Sequence, residues 1–211
     1  MHLSKSVLFI AATAFIGLSS LTAQMTSPAP AAPPPGGPEV HRTPPTRTSP
    51  HETFTAFIKE GSTFSPVMIV YGRPYLKDPK SGEPRKIWGG LVPYDKVWRV
   101  GADEATLLIT KQPLVMGGVE IPAGAFTLYA IPAADGSAKL IVNKQVGQWG
   151  YGYSKTTEDN ELARIDLKKD ALEKTVDQFT IVIEADPASG GEVLKLQWEN
   201  TQYSVPFTVK K

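Results

Sequence analysis

From residue 51 onward, short runs rich in Val, Ile, Thr and aromatic residues recur between clusters of Gly, Pro, Asp and Asn. Such runs predict half-buried β-strands joined by turns. They fall at 53–58, 67–71, 105–111, 114–116, 119–121, 125–131, 139–143, 163–167, 179–184, 193–199 and 203–209. The alternation is clearest late in the chain. Phe179, Ile181 and Ile183 share one side of a strand, and Leu194, Leu196 and Trp198 another, with Lys195 and Gln197 opposite them. Gly117-Gly118 and Pro122-Ala123-Gly124 are tight-turn signals between apolar runs. Ser189-Gly190-Gly191 is a third, and makes 179–184 and 193–199 an antiparallel pair. No segment carries an amphipathic helix of ten or more residues; residues 168–174 are read as one or two helical turns. About ten strands at short spacing predict an all-β fold, an antiparallel β-sandwich or jelly-roll-like domain over 51–211, rather than βαβ units. No internal repeat of fixed period is present.

Ahead of this domain the pattern changes twice. Residues 7–18 (VLFIAATAFIGL) are an apolar run behind His2 and Lys5. At twelve residues it is shorter than the roughly 20 needed to span a bilayer and suits a signal-peptide core. The expectation is a signal peptide over 1–23, cleaved after Ala23, leaving a soluble exported chain, periplasmic or extracellular, with no membrane span. Residues 24–50 then hold nine of the nineteen prolines and almost no large apolar side chain. They read as a proline-rich disordered linker. The chain has 22 basic and 21 acidic residues, a formal charge of +1, with no basic run, so nothing points to nucleic acid. It has no cysteine, which excludes disulfides, thiolate nucleophiles and Cys-ligated metals. Its three histidines, His2, His41 and His51, stand at or before the first predicted strand. A folded part without His or Cys lacks the usual bases, nucleophiles and zinc ligands, so no zinc, copper or cofactor site is expected.

The segment 77–105 interrupts the strand pattern and concentrates Trp88, Tyr94, Trp98, Arg85, Arg99, Asp103 and Glu104, with Tyr71-Gly72-Arg73-Pro74 just upstream. Here the chain resembles the bacterial family filed as domain of unknown function 2911. The resemblance rests on Tyr71, Arg73 and Pro74 and on KIWGGLVPYDKVWRVGADEAT (86–106). It continues through PAGAFTLYAIP (122–132), Gln148-Trp149-Gly150 and the closing LKLQWE and YSVPF runs. It covers nearly the whole domain, implies an exported bacterial protein, and implies no activity.

Chemistry is therefore weighed residue by residue. Asp103 and Glu104 are adjacent, so on a strand they point to opposite faces and cannot form a glycosidase-type carboxylate pair. Glu104 is expected to pair with Arg73 or Arg99 and pin the segment to the sheet. Residues 156–161 (TTEDNE) are rich in oxygen ligands but lack the spacing of a calcium loop, and read as a solvated turn. Trp198 alternates with core leucines, whereas Trp88 and Trp149 abut glycines, where a ring can be presented in a turn, beside Tyr151. The expected ligand-binding residues are Trp88, Tyr94, Trp149, Tyr151, Arg99, Arg73 and Glu104. The leading functional reading is a non-catalytic module that binds a small ligand, glycan or envelope partner. The alternatives are a structural or assembly module with no small ligand, and a carboxylate-dependent hydrolase acting on carbohydrate.

Overall fold

A computed structural model describes residues 47–150 and 152–210. The expected signal peptide and the linker up to residue 46 lie outside those residues, as does Tyr151. Among the described residues the fold is all-β, as expected, with one four-residue helix. β1 (His51–Glu60) and β2 (Thr63–Gly72) form the first hairpin. β3 (Thr106–Thr110) follows the long segment 73–105 and pairs with β2. β4 (Leu114–Met116) and β5 (Val119–Ile121) turn at Gly117-Gly118, where both φ angles are positive, 54° and 82°. Two successive left-handed positions are what glycine pairs supply in tight hairpins. β6 (Gly124–Pro132), β7 (Ala138–Asn143), α1 (Lys155–Glu158), β8 (Glu161–Asp186) and β9 (Gly191–Val209) complete the chain.

The strands form one antiparallel sheet in the order β1-β2-β3-β6-β7-β8-β9-β4-β5. Ten of the eleven predicted runs lie wholly within these strands and 105–111 overruns β3 by one residue at each end, while the last four merge into two, β8 and β9. Residues 168–174 are strand, not helix. Lys168 to Ala171 pair with Ser204 to Thr201 of β9. The helix preferences of this segment amount to tenths of a kcal/mol per residue, and with no apolar helical stripe they lose to a continuous hydrogen-bonded ladder. From Ala171 to Thr180, β8 advances nine residues while β9 advances four, from Thr201 to Gln197, so five residues bulge out. Bulges bend a strand and increase its twist. Here they separate the pairing of Lys168 to Ala171 with Ser204 to Thr201 from that of Thr180 to Asp186 with Gln197 to Gly191.

The two halves of the sheet share one core. β2 buries Ser65, Val67, Ile69 and Tyr71 in strict alternation, and β9 buries Leu194, Leu196 and Trp198. Both sets belong to a single apolar cluster with Leu108, Leu128 and Leu140. Tyr71 joins the halves directly: its ring meets Phe179 edge-on at 5.8 Å, and its hydroxyl accepts a hydrogen bond from Ile181 N at 3.0 Å.

Candidate functional site

Segment 73–105 is held against the end of this core by backbone and rings. Leu76 N donates to Asp177 O (2.5 Å), and Phe179 N to Pro74 O (2.9 Å). Asp78 caps a tight turn by accepting from Lys80 N and Ser81 N, so that the DPKSGEP stretch closes on itself through Asp78 N to Glu83 O. Trp98 exchanges two 2.8 Å backbone hydrogen bonds with Ala130 of β6. Its ring packs on Trp88, Phe179 and Trp198 at 5.9, 5.1 and 6.2 Å.

Beneath the segment lies a cavity of about 400 Å³. Trp98, Tyr75 and Leu91 give it an apolar side; Arg85, Arg99 and Asp103 give it a charged one; Thr48 and Ser49 close it from the N-terminal side. Its wall at 100–103 is built from unusual backbone. Val100 is fully buried at φ 57°, and Asp103 stands at φ 62°. A β-branched residue in the left-handed region is an outlier costing about 1–3 kcal/mol. Fully buried Thr106 holds it there, its hydroxyl donating to Val100 O at 2.6 Å and its N–H to Arg99 O at 3.2 Å. Gly150 fits against the same wall: its N–H donates to Asp103 O at 2.9 Å, and a Cβ there would collide with the Arg99 side chain.

A second cavity of about 390 Å³ lies on the other side of the Ala102–Glu104 ridge. At its rim Arg47 makes a two-pronged ion pair with Glu104 and lies over the Trp149 ring, 5.6 Å from its centre. His51 Nε2 stands 3.0 Å from Glu104 and 3.8 Å from Asp103. The Arg47 hydrogen bonds hold the Glu104 carboxyl down at about 2, against an ordinary value of 4.5.

Three sequence expectations change here. Glu104 pairs with neither Arg73 nor Arg99 but with Arg47, at the end of the stretch read as linker. Asp103 and Glu104 do not diverge: the left-handed turn at Asp103 breaks strand alternation, and both reach His51. A histidine therefore belongs to the site, although periodicity gave no reason to include a residue that begins the first strand. Of the expected ligand residues, Arg99 lines the first cavity and Glu104 the second. Trp149 is exposed beside them and Tyr151 lies outside the described residues. Trp88 is buried in the core, edge-on to Tyr203 at 5.2 Å. Tyr94 is half-buried, its ring over Gly89. Arg73 ties the halves of the sheet together, bonding Phe179 O (3.1 Å), Thr180 Oγ1 (2.8 Å) and Glu52 (2.6 Å). Tyr75, Arg85 and Trp98 are cavity residues that sequence reasoning did not select, though all lie in or beside the signature segment.

Among the described residues no group of three or more His, Asp or Glu side chains is placed to hold a metal ion. Nor is any helix there long and apolar enough to cross a membrane. Fold and site together define, over the described residues, an all-β protein whose irregular segment 73–105 caps the core and walls a cavity. The chain belongs to the family described as Protein of unknown function (DUF2911), whose model matches residues 49–207. No curated protein and no solved structure matches it.

Proposed function

We propose that this is an exported bacterial binding module, without catalysis of its own, and that its ligand site is the cavity under segment 73–105. The ligand class is a small polar ring compound, a sugar above all. Trp98 and Tyr75 supply faces for a ring to lie on. The guanidinium groups of Arg85 and Arg99 match vicinal hydroxyls or a uronic carboxylate in planar, two-pronged fashion, and the Asp103 carboxylate accepts from sugar hydroxyls. The observation that carries the reading is Val100. A buried, strained valine, clamped by Thr106 at the wall of a cavity, is costly for a purely structural loop and is what pre-organisation of a binding wall requires. For the hydrolase alternative, the Arg47 hydrogen bonds favour the ionised form of Glu104, which suits a base or nucleophile rather than the proton donor.

The test is a thermal-shift panel of neutral sugars and uronic acids on the wild-type chain and on Arg99→Ala. A ligand at 100 times its dissociation constant adds about 2.7 kcal/mol of stability. The reading expects at least one sugar to stabilise wild type and to lose that effect in Arg99→Ala. Stabilisation by none, or an undiminished shift in Arg99→Ala, contradicts it.

A further inference from the structure

Among the described residues, β1 ends the sheet on one side and β5 on the other. β5 is three residues long and carries Glu120, whose carboxylate pairs with Lys210 at 2.6 Å. Shortness and charge are the devices by which natural edge strands avoid pairing with another chain. β1 has neither. It is ten residues long, it pairs with β2 without a bulge, and its centre, 53–58 (TFTAFI), holds no charge, proline or glycine.

The backbone of β1 shows which groups are left at that edge. Arg73 N donates to Pro50 O, which continues the β1–β2 register as a hydrogen-bonded pair. Such pairs alternate along an antiparallel ladder. Glu52, Phe54, Ala56 and Ile58 therefore turn their N–H and C=O groups to β2, and Thr53, Thr55, Phe57 and Lys59 turn theirs outwards. The side chains of this second set also leave the core face. Phe54, Ala56 and Ile58 are the ones that stand opposite buried Ile69, Val67 and Ser65. Phe57 is 67% exposed, the most exposed large apolar side chain among the described residues.

β1 complements itself. About a two-fold axis at Thr55, a second β1 running antiparallel sets Thr55 opposite Thr55 and Thr53 opposite Phe57 on each side. Threonine pairs and pairs of an aromatic with a β-branched residue are among those that stabilise a sheet. The same register covers the Phe57 ring and brings Lys59 opposite His51, whose ring stands 3.0 Å from the Glu104 carboxylate. We propose that two copies of this chain associate edge to edge through β1, in the register centred on Thr55. Only β5 then remains as an edge, so the assembly closes at two copies. The cavity under segment 73–105 plays no part in this pairing.

Sedimentation velocity of the full chain over a range of micromolar concentrations reads the association, and a dimer is expected. Thr55→Pro removes an outward N–H and no bond to β2, at a position where an edge strand accepts proline. It should be monomeric where wild type is dimeric. Circular dichroism checks that it folds, and Phe57→Lys, at an exposed position, serves if it does not. Because the chain has no cysteine, Thr55→Cys carries a single thiol. Across the axis its two Cα atoms would stand about 5.5 Å apart, inside the range that a disulfide bridges. Air oxidation should link Thr55→Cys far faster than Lys59→Cys, although Lys59 is the more exposed position. In the dimer the two copies of position 59 lie about 27 Å apart. A wild-type monomer at every concentration, a dimer that persists in the folded variant, an assembly larger than two, or equal oxidation of the two cysteine variants would overturn the proposal.

Discussion

Val100 shows how a single residue is made to adopt a conformation that its own chemistry resists. Its side chain is fully buried, so leaving the left-handed region would pull an isopropyl group out of the core, while Thr106 grips its carbonyl from below. Thr106→Val keeps the shape and removes that grip. Urea melts should show a loss of about 1–3 kcal/mol with an unchanged m-value; a loss under about 0.5 kcal/mol would place the clamp elsewhere. Gly150 meets the same wall from outside. Gly150→Ala should cost at least about 2 kcal/mol, because the new methyl has nowhere to go but the space of the Arg99 side chain and Asp103 O. A variant of wild-type midpoint would mean that this contact yields easily. Glu104 is paired with Arg47 and not with Arg99, so Arg99→Ala is expected to leave the Glu104 carboxylate partnered and to act on ligand binding.

At the scale of elements, the strand pattern was legible because alternation, glycine pairs and β-branched runs are local signals. Each predicted run proved to be strand, and the Gly117-Gly118 and Ser189-Gly190-Gly191 turns fall where expected. The fusion of runs into β8 was not legible, since bulges depend on the partner strand and the helix-prone Lys168–Lys174 stretch gives no sign of one. The site was half legible. Segment 77–105 stood out by composition, and Arg99 and Glu104, named from it, line the first and second cavities, yet which aromatic faces inward depends on docking rather than on neighbours in sequence. Hence Trp88 is core and Trp98 lines a cavity. Least legible was the strap of residues 47–51. Thr48 and Ser49 wall one cavity, Arg47 and His51 the other, and Pro50 O accepts from Arg73 N. Its main fastening is Arg47 on Glu104, whose folded value lies below the ordinary one. The unfastened carboxylate therefore takes up its proton first, and the fastening holds above pH 4.5 and is lost as pH falls towards 2. With Glu104 40% exposed, solvent screening keeps its worth small. Acrylamide quenching of Trp149, the exposed tryptophan, should rise through that window before the far-ultraviolet signal changes, and Glu104→Gln should show the raised quenching already at neutral pH. Quenching constant until global unfolding would exclude the fastening.

At the scale of the molecule, the continuity of the sheet and of its core predicts one folding unit among the described residues. Leu108 in the first half and Leu196 in the second belong to the same buried cluster, so Leu108→Ala and Leu196→Ala should each lower the same single transition by about 2–5 kcal/mol. Two separable transitions would mean that the halves fold apart. The sharing of one core also explains where function can reside. Both halves spend their inner faces on each other, and Tyr71, Arg73 and Phe179 lock them together, so the proposed sugar site falls to the segment that caps the core and to the strap across it. The most direct test of that account is a set of backbone amide correlation spectra recorded with and without the sugar panel at millimolar concentration. The account predicts that shifts concentrate on residues 98–103, with Thr48 and Ser49, and leave the β1–β2 and β4–β5 turns unmoved. Shifts confined to those turns, or none with any sugar, would contradict it.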